Sequence, residues 1–463
     1  MIEMTLGQIA KIVGGRVINS QESKVTSAIP VIDSRKAKAG TFFVAFEGNS
    51  ADGHEFVKDA ISKGAEFALV SKETEQPAIL VSNVLESLTA LAIHVRNQLT
   101  ALTVIGVTGS QGKTTTKDLL RHILSTQGEV VAPEASLNNE LGVPLLLLKC
   151  DLKSKYCVVE MGARHQGDIA YLANIAKPSI GLVLSVGKAH LGEFGSREVI
   201  ASTKSELIKS LPKDGFAILG SYDELTPHMA DNLELTKVSF GEKSSCQVRA
   251  ADIEVREGRA HFDLVTKDGR APVSLQLLGL HQISNALGAA AVATVLGIPL
   301  EVIAAALSTA EVSSKWRMEI IEEDDLLLIN DSYNANPESM AAALRTLALI
   351  AQERGGLSWA FLGKMHELGA SSTAEHQEIG RLVTEIGIDH LVSVGTEDYL
   401  TGITPAELTE GETQLHYFST RDEALSMVKN FAKGDVVLVK ASRAEELNLL
   451  ADSLLNSWKG SEE

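Results

Sequence analysis

The sequence predicts a three-domain α/β protein. It has a small N-terminal α/β unit, a central parallel sheet with an added antiparallel subsheet, and a C-terminal Rossmann-like doubly wound unit. Three observations carry that expectation. At 463 residues the chain is too long for one ordinary core, which argues for about three domains. A hydrophobic strand, a glycine loop and a helical pattern follow one another at Leu102–Val107, Gly109–Thr115 and Asp118–Leu124. Hydrophobic runs alternate with helical patterns on both sides of a stretch, about Val238 to Gly279, where apolar residues recur at every second position.

The first unit is expected over 1–98. Thr5–Val13 has helical spacing and Gly14-Gly15 stops it. Thr41–Phe46 reads as a strand, His54–Lys63 as a helix, and Ala68–Val70 and Ile79–Val81 as short buried strands. Asp33-Ser34-Arg35 lies in a loop just before a strand. A hydroxyl beside a guanidinium suits a phosphate or carboxylate, and the same residues also suit a solvated turn.

The second unit is expected over 99–312. In Gly109-Ser110-Gln111-Gly112-Lys113-Thr114-Thr115 the glycines let backbone N–H groups approach phosphate oxygens. Lys113 can reach the outer phosphates and Thr114 can offer its hydroxyl to Mg²⁺. The common pattern is G-x-x-x-x-G-K; here Gly109 stands too close to Gly112-Lys113 and Gly106 one residue too far. The strand before and the helix after still mark a nucleoside triphosphate loop. Cys157-Val158-Val159 reads as a buried strand ending in Glu160, and Ile180–Val186 as another followed by His190. Ligand groups gather at the carboxyl ends of such strands, so Glu160 is a candidate Mg²⁺ ligand and His190 faces the same site. Farther on, Ile253 and Val255, then Phe262 and Leu264, then Val273, Leu275 and Leu277 alternate with polar residues. Glu257-Gly258 and Asp268-Gly269 are the turns. Asn285–Leu300 reads as a buried alanine-rich helix. Pro299 and the flanking polar residues exclude a membrane span.

The third unit is expected over 313–463. Strands at Leu326–Ile329, Leu357–Leu362, His390–Val394 and Val436–Val439 are separated by helical patterns at Ser339–Ile350, Ala374–Ile386 and Asp422–Phe431, and Ala444–Trp458 follows the last. Asn330–Asn334 follows the first strand and Lys440–Arg443 the last, so both clusters belong at the ligand edge.

Composition narrows the function. The formal net charge of −18 argues against general nucleic-acid or anionic membrane binding. The 3 cysteines have no metal-ligand spacing, which suggests reduced thiols in a cytoplasmic protein. The N-terminal stretch has Glu3 and no apolar core, unlike a signal peptide.

Taken together, GVTGSQGKTTTK, LGLHQISNALGAAA, DSYNANPESM, SLNNELGVPL, EMGARHQGDI and AHLGEFGS resemble the Mur ligase family, ATP-dependent amide ligases of cell-wall precursor synthesis. The resemblance spans the whole chain. DSYNANPESM is similar to the signature of the branch that adds D-alanyl-D-alanine to UDP-N-acetylmuramoyl-tripeptide. The Asp-Asn-Pro-Arg motif of the branch adding the third amino acid is absent.

The resemblance implies a UDP-substrate domain, an ATP domain and a C-terminal ligase domain, in that order. It implies that Gly109 to Thr115 hold the ATP phosphates, that Thr114 and Glu160 contact one Mg²⁺, and that His190 helps hold a second. Lys204 matches a lysine carbamylated in related ligases, whose carboxylate would stand beside the metal. Asn285 would face the adenine, Arg317 the γ-phosphate and Asp331 the ribose. Ser34 and Arg35 would touch the UDP part, and Asn138 and Asn139 would line the muramoyl-peptide channel. Lys440 and Arg443 would meet ATP or the dipeptide. Two departures from the branch stand out: Lys364 where an Asp is expected, and a Ser202–Glu206 stretch less rich in alanine and glycine. The implied chemistry is γ-phosphoryl transfer to a carboxylate, then attack by an amine on the acyl phosphate. A folyl-polyglutamate or cyanophycin-type ligase and a P-loop nucleotide switch are the competing readings. The enzyme is expected to be a monomer. Its third domain is expected to stand away from the phosphate loop without ligands and to close about a hinge at Val312–Lys315.

Overall fold

The computed structural model describes residues 1–48, 51–133, 137–187, 191–311, 314–404 and 413–459. Three sheets of five, nine and six strands are stacked along the chain, beside a two-stranded ribbon that pairs Met4–Thr5 with Val25–Thr26. The expected three-part α/β architecture is what the chain adopts.

The five-stranded sheet runs in the order Arg16–Ile18, Ala78–Leu80, Ala68–Val70, Thr41–Val44, Ile29–Val31; only the first pairing is antiparallel. Helix Leu6–Ile12 starts at a reciprocal cap between Thr5 and Gln8. Helix Val84–Gln98 joins this unit to the next, because Leu88, Leu91 and Val95 share one apolar cluster with Val104, Leu146, Val159 and Leu172.

The nine-stranded sheet places Thr103–Thr108 between Ile180–Val183 and Ser154–Glu160, all parallel. Each of these strands is buried on both faces, which is why it reads as a continuous apolar run. Val248–Arg256, Arg259–Thr266 and Gly269–Leu278 extend the sheet as antiparallel ribbons. Their first turn needs left-handed backbone at Glu257 and Gly258, φ 50° and 69°. The alanine-rich segment is two helices, Gln282–Val295 and Leu300–Thr309, where one was expected. Gly297 at φ 73° and Pro299 break it.

The six-stranded sheet runs Glu319–Glu323, Leu326–Asn330, Val436–Lys440, Ser358–Leu362, His390–Val394, Gln414–Phe418, parallel except for the first pair. Both edge strands escaped the sequence reading. Their inner neighbours are fully buried, whereas EIIEE and QLHYF are only half-buried and carry a weak pattern.

The third domain packs against the second and does not stand away from it. Leu278, at the end of the antiparallel ribbon, belongs to the apolar cluster of the third domain with Leu347 and Ile350. The Gly192 N–H donates to the Glu367 carbonyl at 3.3 Å. This apolar seam and close backbone approach are long-range, so local sequence patterns did not disclose them. Of the expected hinge, Val312 and Ser313 lie outside the described residues.

Candidate active site

The phosphate loop is shaped by its glycines. Gly112 caps helix Lys113–Ser125 at φ 79°, and a Cβ there would sit 2.0 Å from Asn285 Oδ1. The left-handed backbone favours glycine there, and a side chain would have to displace Asn285. The Lys113 ammonium folds onto the Gly109 carbonyl at 2.7 Å. Thr114 Oγ1 donates to Glu160 Oε2 at 3.0 Å, and Asn138 Nδ2 donates to Glu160 Oε1 at 2.9 Å. A buried carboxylate is thus paired with a hydroxyl at the mouth of the loop. These are hard oxygen donors of the kind Mg²⁺ takes, so the residues present fit that ion.

Lys204 sits on helix Arg197–Lys209 and is buried. Burial, with the Lys113 charge second, pushes its ammonium down to about 7. Burial also lowers Lys113; Glu160 opposes that shift and Arg317 adds to it. Lys204 opens on a cavity of about 420 Å³ with Gly109, Lys113, Asn138, Asn139 and Arg164. Asn139 Oδ1 also accepts from the Gly142 N–H at 3.0 Å, holding the start of helix Gly142–Leu147.

A larger cavity of about 650 Å³ lies between the second and third domains. Ser110 to Thr115, Glu160 and Asn285 line one side; Arg317, Asp331, Lys440 and Arg443 line the other. Asn285 is held at both ends, donating to Gln282 Oε1 at 2.8 Å and accepting from Thr116 Oγ1 at 3.4 Å. Beside it, burial pushes the His281 imidazole down to about 4, so the ring is neutral at pH 7. Arg317 lies over the Tyr333 ring at 4.0 Å and Arg443 over the Trp316 ring at 4.2 Å. Lys440 Nζ is 2.5 Å from Asp331 Oδ2 and 2.9 Å from the Asn334 carbonyl.

Ser34 and Arg35 lie elsewhere, in the first domain and away from both cavities. Ser34 is buried, whereas Arg35 is exposed and forks onto Asp33 at 2.8–3.2 Å. The Arg35 hydrogen bonds hold the Asp33 carboxyl down at about 2. His190 lies outside the described residues. Lys364 is exposed and does not line the large cavity, whereas His366 and Glu367 do. Sequence reasoning missed those two, together with Arg164 and Asn336. Asn336 was legible as a helix cap, because its side chain accepts from Ser339 N–H in N-P-E-S.

Three family models match the chain: "Mur ligase family, catalytic domain" over residues 30–104, "Mur ligase middle domain" over 107–293 and "Mur ligase, glutamate ligase domain" over 316–443. The UDP-N-acetylmuramoyl-tripeptide--D-alanyl-D-alanine ligase of Mycobacterium tuberculosis is 42% identical across 98% of each chain. The chain belongs to the Mur ligase family. The same ligase of Escherichia coli is 35% identical over 86% of this chain and 87% of its own. Among solved structures, MurF from Acinetobacter baumannii superposes with a TM-score of 0.86 at 34% identity, over 98% of this Mur ligase and 99% of the other. The MurF ligase of Thermotoga maritima, solved in complex with ADP, gives a TM-score of 0.77 at 28% identity, over 93% and 99%.

Proposed function

We propose that this Mur ligase joins D-alanyl-D-alanine to UDP-N-acetylmuramoyl-tripeptide at the expense of ATP. The products are the UDP-muramoyl-pentapeptide precursor of peptidoglycan, ADP and phosphate. The cavity shared by the phosphate loop and the third domain carries the chemical reading. The full-length likeness to tripeptide--D-alanyl-D-alanine ligases supports the choice of acceptor.

In this reading residues 1–98 bind the UDP end through Ser34 and Arg35, 99–312 bind ATP, and 313–463 complete the ligase site. Gly109 to Thr115 hold the phosphates. Lys113 and Arg317 neutralise charge on the γ-phosphoryl group as it moves to the tripeptide carboxylate. Asn285 stands on the adenine side and Asp331 near the ribose. Asn138 and Asn139 line the peptide channel. Lys440 and Arg443 meet ATP or the dipeptide. The acyl phosphate gives the carboxyl carbon a leaving group. The dipeptide amine attacks that carbon, the tetrahedral intermediate expels phosphate, and the amide remains. Water must be kept from the acyl phosphate, which it would otherwise hydrolyse.

Thr114 and Glu160 would hold Mg²⁺, with His190 and a carbamylated Lys204 as further ligands. Bound there, Mg²⁺ would offset phosphate charge. With an ammonium lowered to about 7, Lys204 has the neutral amine that carbamylation needs at physiological pH. The reading includes a cytoplasmic monomer without nucleic-acid or membrane partners. The net charge of −18 argues against nucleic-acid and anionic-membrane partners, and no helix among the described residues is long and apolar enough to cross a membrane. The test is ADP release with each acceptor alone and with both. Release that requires both, with a product heavier by the dipeptide residue, supports the ligase. Release indifferent to both would point to a nucleotide switch.

A further inference from the structure

Lys117 and Asp118 follow the phosphate loop on the same helix, and neither lines the two cavities of the site. Their side chains are 1% and 4% exposed and lie 2.7 Å apart. A buried ion pair is costly to desolvate, so its remaining contacts say what it does. Lys117 Nζ donates to the Pro133 carbonyl at 2.7 Å, five residues before Asn138. Ser314 Oγ donates to Asp118 Oδ2 at 2.7 Å, three residues before Arg317. The pair thus bonds two of the segments that carry side chains into the site.

The segment from Ser314 onward is a strap. Trp316 and Met318 both have left-handed backbone, φ 61° and 51°. Such residues are strained and persist only where their surroundings over-determine them. Here the Trp316 N–H donates to Glu319 Oε2 at 3.0 Å, the Tyr333 N–H to the Trp316 carbonyl at 3.0 Å, and the Met318 N–H to Asp331 Oδ1 at 3.1 Å. Arg317 is the residue between the two bends. Its strap is pinned to the third domain at Asp331 and to the phosphate-loop helix at Asp118.

We propose that Asp118 and Ser314 are positioning residues: their hydrogen bond latches the interdomain strap to the phosphate-loop helix and so sets where Arg317 stands relative to Lys113. The latch rests on the reading that Arg317 meets the transferred phosphoryl group. Neither residue touches substrate in this role; both act through Arg317.

Ser314 is half-buried, so Ser314→Ala is the variant least apt to unfold. One hydrogen bond to a charged group gives an expected fall in kcat of about 10-fold, with the KM for ATP within about 3-fold of wild type. Ser314→Thr keeps the hydroxyl and is expected to restore kcat. In an Arg317→Ala background the further change Ser314→Ala should have no effect, because the residue through which it acts is gone. Asp118→Asn, which leaves Lys117 without its charge partner, is followed by thermal denaturation alongside kinetics. An impaired Arg317→Ala enzyme with a wild-type kcat for folded Ser314→Ala would overturn the latch and leave the ligase reading standing. A Ser314→Ala loss that persists undiminished on the Arg317→Ala background would also overturn it. Wild-type kcat in Arg317→Ala itself would instead remove Arg317 from the phosphoryl-transfer step and take the latch with it.

Discussion

The Lys440 ammonium lies 2.5 Å from the Asp331 carboxylate, with side-chain exposures of 2% and 14%, on the third-domain wall of the shared cavity. Asp331 also receives the Met318 N–H, so the pair supports the strap that carries Arg317. Removing one member leaves the other charged and buried, which costs about 3–5 kcal/mol. Lys440→Met should therefore lose about that much stability in urea unfolding. Adding Asp331→Asn should recover most of the stability without recovering ligation. A Lys440→Met protein as stable as wild type would show that the pair does not bear on the fold.

Lys113 offers a cleaner separation of chemistry from folding. Its ammonium contacts a loop carbonyl, and burial already disfavours its charge. Lys113→Ala should lower kcat by at least about 100-fold while the melting temperature stays near wild type. Near wild-type turnover by the folded variant would refute its place beside the transferred phosphoryl group.

Lys204 should behave as a carbamate site. Lys204→Ala is expected to be nearly inactive, with partial rescue by formate or acetate, whose carboxylates supply the missing oxygens. The amine loses its neutral form as pH falls through about 7, so activity at pH 6 should depend more steeply on added bicarbonate than at pH 8. Full activity in Lys204→Ala at any pH would exclude the role.

His281 predicts the sign of one pH effect on stability. Its folded value of about 4 lies below the ordinary histidine value of 6.5, so between the two the unfolded chain binds more protons. The native state must therefore lose stability as pH falls from 6.5 towards 4. Subtracting the melting curve of His281→Asn isolates that contribution, and the wild-type advantage should shrink steadily on acidification. A difference independent of pH would mean that His281 titrates normally.

Arg35 stands apart from both cavities on the first domain, exposed and forked onto Asp33. Arg35→Ala should raise the KM for the UDP-linked peptide by about 10-fold and leave the KM for ATP unchanged, because binding energy at the remote end positions the reacting carboxyl group. Equal weakening of both substrates would place the defect in folding instead.

The sequence alone determined whatever depends on near neighbours in the chain. The strand–glycine–helix unit was legible because its parts are consecutive, and the position of Glu160 because it ends a buried strand. The antiparallel ribbons were legible through strict alternation, and the family through several motifs in one order. Edge strands such as Glu319–Glu323 were not, since half-buried segments carry little periodicity. Tertiary structure alone decided which distant residues meet. Asn285 fills the space above Gly112, Lys440 pairs with Asp331, and Ser314 reaches Asp118, each across a long loop of chain. It also decided that Lys204 is buried near Lys113 and that the third domain lies against the second. The physical reason is one of range. Backbone sterics and side-chain periodicity act over a few residues and are written locally. Burial, charge pairing and close backbone approach depend on how whole domains pack, and no short stretch of sequence encodes that packing.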